Sequence, residues 1–162
     1  MIEVALPQPG GCYCGAVRFE LTALPYFSYL CHCSVCRRRT GAAYGISTPV
    51  PTGSVRFTAG DPVFAERVSP AGVKRVLAQC GACGGKIYSA WEGVPYLTFR
   101  PGLLDDSSWV VPVGQIWTRN ALPWAVLSGV ASFEGDPDGV KQFADAWAAL
   151  DIRAVERPPT AA

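Results

Sequence analysis

The stretch Cys31-His32-Cys33-Ser34-Val35-Cys36-Arg37-Arg38-Arg39-Thr40-Gly41 decides how the rest of the chain is read, because it sets three thiols and an imidazole side by side and follows them with three arginines. A run so polar and so rich in ligand atoms is a site rather than part of a core. On extended chain, Cys31 and Cys33 leave the same face about 7 Å apart. A zinc ion with Zn–S bonds of about 2.3 Å can gather them once the chain bends. Cys33 and Cys36 form the tighter C-x-x-C unit of zinc ribbons, so Cys31, Cys33 and Cys36 can hold one metal through three sulfurs. His32, placed between two cysteines, points to the opposite face and is not the fourth ligand. Its expected role is to orient the loop by hydrogen bonding.

Working outward, the other cysteines come in two pairs, Cys12 with Cys14 and Cys80 with Cys83. The second pair sits in Gln79-Cys80-Gly81-Ala82-Cys83-Gly84-Gly85, a glycine-flanked knuckle in which backbone N–H groups can approach the sulfurs. If each unit is kept whole, the two pairs together close one tetrahedral site and the triplet is left as a three-ligand site with an open position. Closed four-sulfur sites are the structural kind, and sites that keep a vacant position are the catalytic kind.

Composition bounds the rest. A chain of 162 residues with 49% apolar and 17% charged residues is long enough for one domain with its own core. The formal charge of +1 gives no basic stripe, which argues against a nucleic-acid partner. No apolar stretch approaches the roughly 18 residues of a membrane span, and the N-terminus lacks a signal-peptide pattern. A cytoplasmic location without a membrane partner is therefore expected. An odd number of cysteines fits metal ligands better than disulfides there.

Periodicity predicts a mainly β chain. Val17, Phe19 and Leu21 alternate with Arg18 and Glu20, and further short strands are expected at 26–30, 42–48, 55–58, 63–68, 73–79, 86–91, 94–100, 109–117 and 125–133. Pro49 and Pro51 should limit the strand they follow. Turns are expected at 69–72, 81–85 and 92–93, with a loop or short helical turn at 103–108. Residues 138–150 carry Val140, Phe143, Ala144, Trp147 and Leu150 at helical spacing, which predicts a helix with Asp136 as N-cap and Pro137 at its first position. A frayed terminus is expected over 156–162.

The order C-x-C, then C-H-C-x-x-C followed by R-x-x-T-G, then C-x-x-C-G, then Ile116-Trp117-Thr118-Arg119-Asn120-Ala121-Leu122-Pro123-Trp124 resembles the glutathione-dependent formaldehyde-activating enzyme family, which also includes centromere protein V. The resemblance covers about residues 10–133 of a single domain, with 136–151 as a C-terminal helical extension. It implies a β-tent of antiparallel sheets around two zinc sites. It places a structural zinc on Cys12, Cys14, Cys80 and Cys83 and a second, catalytic zinc on Cys31, Cys33 and Cys36. It also implies a carbon–sulfur lyase activity, the reversible joining of a thiol such as glutathione to a small aldehyde.

The ligand set carries its own chemical argument. Three thiolates blunt the Lewis acidity of zinc, so a fourth thiolate is a more natural guest than an activated water, and coordination deprotonates that thiol. Arg37 can pair bidentately with a substrate carboxylate, while its two neighbours are expected on a solvated turn. Arg119 and Trp117 are candidates for the pocket lining. The competing class is a zinc-stabilised protein-interaction module without catalysis.

Overall fold

Short alternating segments broken by glycine and proline fold as strands, because the pleat sends successive side chains to opposite faces. The structure, a computed structural model, describes residues 1–68 and 72–157. In chain order the elements are β1 (Ile2–Leu6), β2 (Gln8–Gly11), β3 (Arg18–Leu21), β4 (Tyr29–Cys31), helix α1 (Ser34–Thr40), β5 (Gly45–Pro51) and β6 (Val55–Ala59). They continue as β7 (Pro62–Val68), β8 (Lys74–Cys80), β9 (Lys86–Trp91), β10 (Tyr96–Phe99), β11 (Gly114–Ile116), β12 (Ala131–Ser132), helix α2 (Lys141–Ala148) and β13 (Ile152–Glu156).

An eight-stranded sheet runs in the order β12-β11-β4-β5-β10-β9-β8-β7, and a three-stranded sheet β2-β3-β6 leans against it. Phe19 of the small sheet meets Phe99 of the large one edge-on, with ring centroids 5.6 Å apart, and both are fully buried. This is a mainly β, β-tent architecture. Its apolar core lies between the two sheets and continues under α2. The stretch β7 to β10 is the expected antiparallel meander. The β12 end of the large sheet is mixed, because β11 runs parallel to both β4 and β12. Among the described residues no helix is long and apolar enough to cross a membrane.

Several elements differ from the sequence expectation, each for a physical reason. The arginine run is not a turn but α1, a helix that the good helix-forming arginines favour. Gly41 ends it in the left-handed conformation at φ 65°, its N–H donated to the Arg37 carbonyl. Strand β5 continues through Pro49 and Pro51. Its partner β4 ends its pairing at Ser47, so beyond that point a missing N–H on that side breaks no strand ladder. The strand expected at 109–117 shrinks to β11, since Pro112 and a Trp109 indole N–H donated to the Asp106 carbonyl hold its first half in a loop. The one expected at 125–133 shrinks to β12, after a short 3-10 turn at Pro123–Ala125.

At the C-terminus, α2 begins at Lys141 with Val140 as a cap that makes no side-chain hydrogen bond. Asp136 does not cap it, because its carboxylate instead accepts the Trp117 indole N–H at 2.9 Å. The chain then returns as β13, which pairs in parallel with β1, so both ends of the chain are tied together. Arg157 extends the link through its backbone N–H on the Leu6 carbonyl. The remainder of the expected frayed end, 158–162, and residues 69–71 of the expected turn lie outside the described residues.

Of the apolar stripe of α2, Phe143 and Trp147 are core, whereas Val140 and Ala144 are exposed. Phe143 stacks on Tyr29 at 5.6 Å and meets Phe27 and Phe133 at 5.6 and 5.5 Å. Gly114 makes that seat possible, since a Cβ there would lie 2.1 Å from the Phe143 ring. Gly114→Ala should therefore destabilise the fold by about 1–3 kcal/mol in urea unfolding through overpacking. Gly139→Ala, where a Cβ meets open space, should stay within about 0.5 kcal/mol. Equal stability of the two variants would contradict this packing account.

Candidate metal centres

The first cluster joins the two sheets. Cys12 and Cys14 follow β2 in the small sheet, Cys80 ends β8 in the large sheet, and Cys83 lies in the turn to β9. Their sulfurs all lie within 4.8 Å of one another, with Cys12 to Cys14 at 3.4 Å and Cys14 to Cys80 at 3.8 Å. A tetrahedral ion with bonds of about 2.3 Å spaces its ligands about 3.8 Å apart, so the four sulfurs fit one zinc. The backbone is already folded for it. The Val17 N–H donates to the Cys12 sulfur at 3.2 Å, and the Gly84 N–H closes the knuckle on the Cys80 carbonyl.

The second cluster sits where β4 runs into α1. Cys31 is the last residue of β4, Cys33 caps α1 and Cys36 lies in its first turn, where its N–H donates to the Cys33 sulfur at 3.3 Å. The three sulfurs also lie within 4.8 Å of one another, and among the described residues no fourth His, Cys, Asp or Glu joins them. His32 is fully buried on the other side of β4. Its Nε2 meets the Gln115 amide oxygen at 3.2 Å, and the Gln115 amide nitrogen donates to Leu127 O and Ser132 Oγ, both at 2.7 Å. This chain of contacts aligns β4 with β11 and β12 and so fixes where Cys31 points.

Crowded sulfurs cannot all ionise unaided. Burial pushes the Cys12 thiol up, but the Val17 N–H and hydrogen bonds from Cys14, Cys80 and Cys83 outweigh it and bring Cys12 down to about 6. The Ala16 N–H favours ionisation of Cys14, yet the neighbouring Cys12 sulfur and the rest of the cluster push it up to about 12. In the triplet the hydrogen bond from Cys31 brings Cys36 down to about 6, with burial opposing and Cys33, Arg39 and Lys86 helping. Cys31 is driven strongly upward, first by Cys36 and then by burial. Cys12 and Cys36 thus ionise readily, and a cation at each cluster would allow Cys14 and Cys31 to follow.

The two clusters differ in what lies beside them. The triplet opens into a cavity of about 310 Å³ lined by Cys31, Cys33 and Cys36 on one side and by Arg39, Arg75, Lys86 and Arg100 on another. None of these four cations belongs to an ion pair among the described residues. Arg75 lies over the Trp91 ring at 4.8 Å and donates to Ser89 Oγ at 2.9 Å, while its buried Nε has no hydrogen-bond partner among the described residues. Burial, then the positive charges of Arg39, Arg75 and Arg100, bring Lys86 down to about 7. Burial likewise lowers Arg75 and Arg100. Unpaired, partly buried guanidinium groups, with Lys86 poised to take up a proton beside an anion, make this wall a receptor for negative charge.

Of the residues singled out from sequence, Trp117 lines this cavity, with Arg119 stacked on it at 4.5 Å. Arg37 does not reach it, since its guanidinium donates to the Asn120 carbonyl on the outer surface. Arg39, two positions on, faces the cavity instead, because α1 turns successive residues about the helix axis. Arg75, Lys86 and Arg100 were not anticipated. Arg75 stands opposite Trp91 in the β8–β9 ladder, a pairing that no local sequence pattern announces.

A β-tent with a closed four-sulfur cluster and an open three-sulfur cluster defines a class of thiolate metal proteins, and comparison with known families agrees. A profile of the family described as glutathione-dependent formaldehyde-activating enzyme matches residues 7–120, well over half of the chain. The chain belongs to this family. A crystal structure of a Rhodobacter sphaeroides protein is also similar, at 21% identity and a TM-score of 0.48, covering 77% of this chain and 98% of that one. Among curated proteins none matches.

The two clusters should respond differently to mutation. Cys80 is fully buried at the junction of the sheets, so Cys80→Ser should lower unfolding free energy by at least about 4 kcal/mol, the range typical of losing a metal or disulfide. Cys36, half-buried at the cavity, should cost far less when changed to Ser while lowering bound metal by one ion. Thermal melts with metal analysis separate these outcomes, and equal destabilisation by both changes would contradict the division of roles.

Proposed function

We propose that the protein is a zinc-dependent carbon–sulfur lyase that joins a thiol to an aldehyde and releases the pair again, with Cys31, Cys33 and Cys36 holding the reactive metal and Cys12, Cys14, Cys80 and Cys83 a structural one. The observation that carries this reading is the open three-sulfur cluster facing an unpaired cationic wall, beside a four-sulfur cluster whose ligand set is complete. Family membership supports the reaction class. Zinc bound at the triplet would supply the positive charge that keeps the cysteines and an incoming thiol deprotonated.

The chain's own residues do the recognition. Arg39, Arg75, Lys86 and Arg100 hold the carboxylates of a glutathione-like thiol and lower the cost of gathering sulfur anions beside them. Burial raises the Tyr29 hydroxyl well above its ordinary value, so it stays protonated and neutral on the opposite wall. Trp117 and Ile116 supply apolar lining beside the reacting carbon. The thiol sheds its proton, its sulfur pair forms the C–S bond with the aldehyde carbon, and the C=O π pair moves to oxygen, which takes a proton in return. Release runs the same steps backwards, with no change of oxidation state.

With cobalt in place of zinc, visible absorption should change when a small anionic thiol enters, and thiol–aldehyde adduct formation should be faster with protein than without. Cys36→Ser should abolish both responses. Arg75→Ala should raise KM for glutathione about tenfold or more, the worth of a charge-assisted hydrogen bond, and affect a neutral thiol much less. A cobalt spectrum indifferent to every thiol, with no acceleration, would overturn the lyase reading in favour of a non-catalytic interaction module.

A further inference from the structure

The cavity beside the triplet does not end at its floor. A second cavity of about 470 Å³ adjoins it and shares Tyr29, Trp91, Thr98, Ile116 and Asp136 with it. Its remaining walls are Tyr26, Phe27, Pro49 and Tyr96 from the large sheet and its approaches, and Pro137, Val140, Phe143 and Ala144 from α2 and the residues before it. The family match ends at residue 120, so the whole α2 wall belongs to the part of the chain beyond it.

Charge is divided sharply between the two spaces. Arg39, Arg75, Lys86 and Arg100 all line the first cavity and none lines the second. The one charged residue common to both is Asp136, held at the neck by its bond to the Trp117 indole. A carboxylate at the neck opposes passage of an anionic group, so an anionic thiol remains on the cationic side. The second cavity offers predominantly aromatic and aliphatic surface, with tyrosine hydroxyls, Thr98 and Asp136 as its polar groups, of the size and character that ligand pockets use for apolar groups. Formaldehyde, with one carbon, would leave it unfilled.

Resting on the lyase reading above, we infer that the aldehyde partner is larger than formaldehyde and carries an aryl or medium-length alkyl substituent, which lies in the cavity between Tyr29, Trp91 and α2 while the anionic thiol lies on the arginines. The adduct bound here is amphipathic, and its reacting carbon sits at the neck between the two spaces. Helix α2 is then the element that sets aldehyde specificity, through Phe143, Ala144 and Val140. Gly114 contributes indirectly as a positioning residue, because it lets Phe143 seat.

The test is calorimetric binding of S-methylglutathione and S-benzylglutathione to the zinc-loaded full chain, thioethers in which the S-substituent takes the place of the aldehyde fragment and no turnover is needed. Each buried methylene is worth about fourfold in affinity, so the benzyl thioether should bind at least about tenfold more tightly than the methyl one. Ala144→Trp, which fills the cavity from α2, should erase that difference. Val140→Phe serves the same purpose from a half-exposed position if the first variant does not fold, folding being checked by circular dichroism. Equal affinity of the two thioethers, binding of neither, or a benzyl preference that survives both substitutions would overturn the inference. The cobalt response to free thiol reports separately on the lyase reading. A thiol response without benzyl preference removes only the present inference, whereas a benzyl preference without thiol response leaves an apolar binding cavity but removes the lyase reading and with it the aldehyde assignment.

Discussion

Mutual repulsion among packed sulfurs is the constraint on which the rest of this structure depends. Seven cysteines are gathered into two groups within 4.8 Å, and in each group the ionisation of one thiol suppresses that of a neighbour, Cys14 beside Cys12 and Cys31 beside Cys36. Only a bound cation relieves this, and the chain is folded so that relief at the first group also joins the two sheets. Cys12 and Cys14 come from the small sheet, Cys80 from the large one, and Cys83 from the turn that follows it. A metal ion held there would couple its binding directly to folding.

The second group uses the same physics for a different end. Its sulfurs are held by one strand end and one short helix, and its remaining side faces a cavity rather than a fourth cysteine. The four basic groups around that cavity have no carboxylate partner among the described residues, an arrangement that is costly unless negative charge is supplied from the thiolates and from a ligand. Apolar surface lies on the far side, under α2. A site with sulfur at one wall, positive charge at a second and aromatic surface at a third discriminates by chemistry along three directions.

Much of this was readable from the residues alone, because cysteine spacing is local and strand alternation is strong. The three cysteine units, the meander from β7 to β10 and the existence of α2 all follow from patterns that neighbours in sequence create. What was hidden depends on distant partners. The parallel pairing of β1 with β13 brings together the two ends of the chain, and no local pattern announces it. Helix α1 was masked by reading three arginines as a solvated turn, which also misplaced the cavity arginine at Arg37 rather than Arg39. Arg75 lies in β8, Lys86 begins β9 and Arg100 directly follows β10, and they become one wall only through the register of the large sheet. Asp136, which would read as a helix cap, was drawn away by the Trp117 indole.

The central claim is that one of two metal ions keeps a position for an external thiol. Zinc-edge X-ray absorption on the fully loaded protein tests it most directly, because seven cysteine sulfurs shared by two ions leave the average below four per ion. The account predicts that this average rises to four sulfurs when a thiol ligand is added, and that it does not rise in Arg75→Ala until the thiol concentration is increased about tenfold or more. An average of four sulfurs before any thiol is present, or one that stays unchanged at saturating thiol, would contradict it.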